Sequence, residues 1–114
     1  MHANLKIITW NALGIRNKAL EFFTFLCKHD VDLALVSETW LSSNINLSNR
    51  SYKCYRYDRQ DRTGGGVAMV VKRSIRHLLL PIVRTQIVEN ISIEIPFNNG
   101  SHLKIFFGVL SRPY

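Results

Sequence analysis

Two polar side chains stand where apolar runs stop. The run Leu33-Ala34-Leu35-Val36 carries through Ser37 to a carboxylate, Glu38, and the run Leu5-Lys6-Ile7-Ile8-Thr9-Trp10 ends in a carboxamide, Asn11. An apolar stretch without polar alternation reads as a strand buried on both faces. The first run therefore predicts a central strand over 33–38, with Glu38 at its C-terminal end. In layered α/β proteins that rim is where ligands collect. A second strand over 5–11, laid beside the first, brings Asn11 to the same end of the sheet. The two side chains are then within reach of one cation.

The intervening residues must place those two strands side by side. Asn17 offers a helix N-cap, and a helix to about His29 carries Leu20, Phe23 and Cys27 on one stripe, broadened by Phe22, Phe25 and Leu26. Strand, helix and strand in succession imply a parallel pair. Ser42 to Ser51 reads as a polar surface loop. Tyr52 to Arg59 and Val67 to Lys72 read as a hairpin closed through Gly64-Gly65-Gly66, and Pro81 marks Leu78-Leu79-Leu80 as a short or edge piece. Gln86 to Ile95 alternates with Ile87, Ile91, Ile93 and Ile95 on one face. Asn99-Gly100 is a turn signal, and His102 to Leu110 is the returning strand. The fold class is α/β (α+β): one βαβ unit followed by β-hairpins. The helix can cover one sheet face only, which leaves half of a two-sheet sandwich missing.

The totals narrow the function. The 114 residues fit one small domain, and 46% hydrophobic content excludes a disordered chain. No apolar run reaches the ~18 residues of a membrane span. The start of the chain reads directly as strand, without a leader pattern, so an intracellular setting, nuclear or cytoplasmic and not secreted, is expected. The Asn-x-Ser matches at Asn46, Asn49, Asn90 and Asn99 then carry no glycan. Cys27 and Cys54 are too few and too far apart for a zinc site or a disulfide scaffold, and both read as buried thiols. The formal charge is +7, and residues 51–80 hold seven Lys/Arg against two Asp/Glu. A basic surplus concentrated in one segment suits a polyanion. Arg56, Arg59 and Arg62 are the candidate phosphate contacts of that segment, with Tyr55 and Tyr57 as candidates to lie on sugar or base. Trp10 and Trp40 flank the rim and read as wall and core.

Three motifs in order carry a resemblance: Ile-Ile-Thr-Trp-Asn-Ala-Leu-Gly-Ile-Arg (7–16), Val-Ser-Glu-Thr-Trp-Leu (36–41), and Tyr-Asp-Arg followed by Gly-Gly-Gly-Val-Ala (57–68). They resemble the endonuclease/exonuclease/phosphatase superfamily. The match is best to the apurinic-endonuclease-like domain of jockey-like non-LTR retrotransposon polyproteins. The resemblance implies a four-layer α/β sandwich of the DNase I-like type, of which residues 1–114 supply one partial domain, the N-terminal half. It further implies Mg²⁺- or Mn²⁺-dependent hydrolysis of phosphodiester bonds, with Glu38 as metal ligand and Asn11 beside it. The implied partners are target DNA, the remaining half of the domain and a reverse transcriptase domain. Two departures stand out. Ser111 occupies the place of a family Tyr, and the Gly-Asp-Phe-Asn and Ser-Asp-His motifs that supply base and histidine do not occur. These 114 residues alone are therefore expected to be inactive. A catalytically dead nucleic-acid-binding remnant and a phosphatase branch of the same superfamily are the alternatives.

Overall fold

The computed structural model describes residues 4–59, 64–83, 85 and 87–110. Its elements are β1 (Ile7–Asn11), a 3₁₀ turn (Arg16–Lys18), α1 (Ala19–Lys28), β2 (Leu33–Ser37), β3 (Tyr52–Tyr57), β4 (Val67–Lys72), β5 (Leu78–Leu79), β6 (Val88–Pro96) and β7 (His102–Leu110). They form a four-stranded sheet, β1-β2-β4-β3, and a three-stranded sheet, β5-β6-β7. Among the described strands β1 and β2 alone run parallel, as a strand–helix–strand connection requires. The hairpin β3–β4 adds antiparallel to β2 through β4.

Side chains alternate across β2 and β4, so the central strands feed two cores. Ala34, Val36, Ala68 and Val70 face the helix and meet Phe22, Phe23 and Leu26. Leu33, Val67, Met69 and Val71 face the second sheet and meet Ile91, Ile93 and Ile95. The far side of the first sheet is thus covered by β5–β7, contrary to the expectation of a missing second sheet. The uncovered surface is instead the outer face of the second sheet, where Leu78, Phe106 and Leu110 are exposed.

The helix differs from its sequence reading in start and stripe. Residues 16–18 form a tight 3₁₀ turn, and the N-cap residue of α1 is Lys18, which makes no side-chain capping bond, so Asn17 caps nothing. The buried stripe is Phe22, Phe23 and Leu26, with Ala19 packed against it. That is the i, i+3, i+4, i+7 pattern of a helix lying on a sheet. Leu20 is 83% exposed and Cys27 is also exposed, so neither belongs to the core. Cys54 is half-buried, and burial pushes its thiol up to about 11. Ile87 lies outside β6 and is exposed, while its three companions are buried.

Candidate active site at the strand ends

The parallel register sets Asn11 directly opposite Ser37, so Glu38 emerges one residue beyond, at the same rim. Past the paired region the backbones stay joined in an irregular way. Ala12 N–H donates to Ser37 O (2.9 Å), Gly14 N–H to Glu38 O (2.9 Å) and Ile15 N–H to Thr39 O (3.1 Å). On the other side, Thr39 N–H donates to Gly66 O (3.3 Å) and Trp40 N–H to Gly65 O (3.0 Å). The segment Glu38–Trp40 is therefore held between the loop after β1 and the glycine turn before β4. Lys18 braces that first loop, its Nζ donating to Ala12 O at 2.6 Å.

This rim concentrates backbone strain. Leu13, Glu38 and Trp40 all adopt positive φ, at 48°, 53° and 55°. Each such residue costs about 1–3 kcal/mol and persists only where its surroundings over-determine it. Here the two-sided backbone pairing does so. Gly14 and Gly66 make room: a Cβ at Gly14 would meet the Trp40 ring at 2.8 Å, and one at Gly66 would collide with Thr39 Oγ1. Thr39 is fully buried, and its hydroxyl has no hydrogen-bond partner among the described residues.

Glu38 is half-buried. Its Oε1 accepts the Trp40 indole N–H at 2.8 Å and lies 3.4 Å from Gly65 N. Its Oε2 accepts no hydrogen bond from the described residues. Asn11 is exposed on the adjacent strand end, on the face it shares with Ser37. Among the described residues no group of three or more His, Cys, Asp or Glu comes together. A closed structural metal site is thus not what the rim offers. A carboxylate and a carboxamide at one sheet end are donors of the kind Mg²⁺ takes, one or two protein oxygens with several waters kept.

The basic hairpin is built differently from its sequence reading. The Arg56 guanidinium donates to Ile45 O (2.6 Å) and Ser42 O (2.9 Å) and grips Asp58 with Nε at 3.2 Å and a terminal nitrogen at 2.7 Å. It fixes the 42–45 loop. Arg59 lies over Gly65 and pairs with Glu89, Nε donating to Oε2 at 2.9 Å, while Glu89 Oε1 accepts Gly66 N–H at 2.8 Å. Their side chains are 15% and 5% exposed. Both arginines expected to lie free for phosphate therefore do internal structural work. Tyr55 donates to or accepts from His77 Nε2 at 2.8 Å and, like Tyr57, packs against the inter-sheet core. Arg62 and Ser111 lie outside the described residues.

Two residues at the rim escaped the sequence reading. Glu89 shares the odd-numbered face of β6 with Ile91, Ile93 and Ile95, and an acid on a core face was a visible signal of a buried partner. Trp40, read as wall or core, is 50% exposed. Trp10 is the wall residue, stacked on Phe22 with ring centroids 4.8 Å apart.

A helix-backed βαβ unit with a carboxylate and an amide at one sheet end, joined to a second sheet, defines a layered α/β protein. The chain belongs to the endonuclease/exonuclease/phosphatase family, whose model matches residues 8–108. Among curated proteins it resembles the probable RNA-directed DNA polymerase from transposon BS of Drosophila melanogaster, 31% identical over 99 residues, covering 84% of this chain and 11% of the relative. It also resembles those of the X-element and of the mobile element jockey of the same fly. Both are 30% identical, over 75% and 71% of this chain and 10% and 9% of theirs. The chain thus spans about one-tenth of the length of these relatives. A solved structure, D. rerio TDP2 complexed with single strand DNA product, matches with a TM-score of 0.56 at 18% identity, covering 91% of this chain and 45% of that one. That likeness shows the fold, a partial DNase I-like α/β sandwich.

Proposed function

We propose that this chain supplies the metal-binding side of a DNA endonuclease site, in a domain that nicks target DNA for retrotransposition. The observation that carries the reading is the pairing of β1 and β2, which sets Asn11 and Glu38 at one strained strand end. The family and the transposon relatives support a nuclease-type hydrolase. Glu38 and Asn11 would hold Mg²⁺ or Mn²⁺, which when bound neutralises charge developing on the phosphate and the leaving oxygen. The chain's own part is positional. The Trp40 N–H fixes Glu38 Oε1, which would hold the carboxylate in one orientation for a cation.

The described histidines lie elsewhere. His29 closes the helix C-terminus, His77 is held by Tyr55 and Ile75 O, and His102 pairs with Glu94 on the outer face of the second sheet. A carboxylate without a general base is an incomplete hydrolytic site. These 114 residues are therefore proposed to bind cation and DNA without cutting. A remnant that only holds DNA is the second reading, favoured by that same placement of the histidines.

Two measurements test this. Mn²⁺ binding, read by water-proton relaxation, weakens by more than about tenfold in Glu38→Gln; equal affinity in the variant removes the proposed metal role. In a supercoiled-plasmid assay with Mg²⁺ the 114-residue chain leaves the plasmid intact. Glu38-dependent nicking would overturn the claim that it is incomplete.

A further inference from the structure

Trp40 is out of place as a core residue. Tryptophan is a costly side chain to leave in water, yet half its surface is exposed at the rim, on a backbone held at φ 55°. It is also fixed in place. Its ring lies on Gly14, where even a Cβ would intrude; its indole N–H is donated to Glu38 Oε1; and its backbone N–H is donated to Gly65 O. The indole reaches across toward the glycine turn, where a Cβ at Gly64 would stand 3.9 Å from Nε1. An aromatic plane held at backbone, ring and N–H cannot collapse away from solvent. It is a preformed apolar surface touching the proposed cation ligand.

From this geometry we infer that Trp40 is a nucleobase-stacking platform for the DNA strand whose phosphate sits at Glu38. The inference rests on the nuclease reading of that carboxylate. The ligand class follows from what the rim combines: a flat π-face adjoins a proposed phosphate-and-cation position, in a chain of formal charge +7. A nucleotide presents the matching pair, an anionic phosphate and a base one sugar away. Every base has a π-face, so contact with an aromatic ring is sequence-tolerant. With Arg56 and Arg59 engaged internally, the exposed face of Trp40 is the described rim surface best matched to a base.

Intrinsic fluorescence tests this directly, because the chain has two tryptophans, and Trp10 is partly buried on Phe22, so that the Trp40 variants separate the two signals. A short oligothymidylate quenches the wild-type emission, whereas inorganic polyphosphate, a base-free polyanion, does not. In Trp40→Phe, which keeps an aromatic face but leaves Trp10 as reporter, oligothymidylate no longer quenches yet, by fluorescence anisotropy, binds more tightly than in Trp40→Leu, which lacks the same indole N–H. In Trp40→Leu the affinity for oligothymidylate falls about tenfold, while that for polyphosphate is unchanged. Oligothymidylate binding without quenching, or with equal affinity in Trp40→Leu, overturns the platform and leaves the nuclease reading standing. Absence of any oligothymidylate binding by the wild type overturns both. Circular dichroism and thermal melting confirm that each variant is folded. Should Trp40→Leu fail to fold, the quenching contrast between wild type and Trp40→Phe decides the matter alone.

Discussion

Arg59 shows how a charged residue changes meaning once its partner is known. On charge alone it belongs to a solvent-facing basic hairpin, but in the fold it is mostly buried against Glu89 and roofs Gly65. Removing one member of a buried ion pair leaves the other charge desolvated with its compensation reduced. Arg59→Ala is accordingly expected to lower unfolding free energy by about 3 kcal/mol in urea titrations. A phosphate-contacting arginine would instead leave the midpoint unmoved and weaken DNA binding. Glu38 and Asn11 were legible because a polar residue ending an apolar run is a local pattern. The Arg59–Glu89 pair was not, since Arg59 lies in the loop after β3 and Glu89 on β6, and no local period joins them. Only half of that pair left a trace, the lone acid on the isoleucine face of β6.

At the scale of elements, the rim depends on two non-repetitive segments rather than on any strand. The glycine turn accepts backbone N–H groups from Thr39 and Trp40 and donates one to Glu89. Gly66 has φ 89° and lies against Thr39 Oγ1. Gly66→Ala adds both a strained backbone and a collision, and is expected to cost about 2–3 kcal/mol of stability. The same substitution at Gly100, which has a similar φ but open space around it, costs only the backbone share, about 1 kcal/mol. Comparing the two melting curves separates strain from packing. The strands themselves were readable from apolar runs and alternation, and β2 is covered on both faces, with Leu33, Ala34 and Val36 buried and Leu35 and Ser37 half-buried. The helix stripe was misread because residues 20–27 hold apolar groups on more than half of the circumference. Which face turns inward is decided by the path of the chain through the 3₁₀ turn, not by the period.

For the molecule as a whole, the layers run helix, four-stranded sheet, three-stranded sheet, and the last layer is apolar on its outside. Phe106 and Leu110 on β7 and Leu78 on β5 are 62%, 74% and 62% exposed on that face. Exposed apolar surface on an open-edged sheet favours association. The 114-residue chain in solution is expected to self-associate at micromolar concentration, and the double change Phe106→Lys, Leu110→Lys should shift it toward monomer in analytical ultracentrifugation. A wild-type chain that sediments as a monomer would show that this face is tolerated in water.

The tie between Glu89 and Gly66 has a temporal side. The glycine turn belongs to the first sheet, yet its anchoring acid arrives with β6, 23 residues later in the chain. Synthesis presents the chain in order, so β1 to β4 emerge before β6 exists to meet them. During synthesis the helix and the strands around β2 can meet while the rim is still loose. The carboxylate end therefore gains its final shape only when the second sheet docks, which couples maturation of the site to completion of the hydrophobic sandwich beneath it.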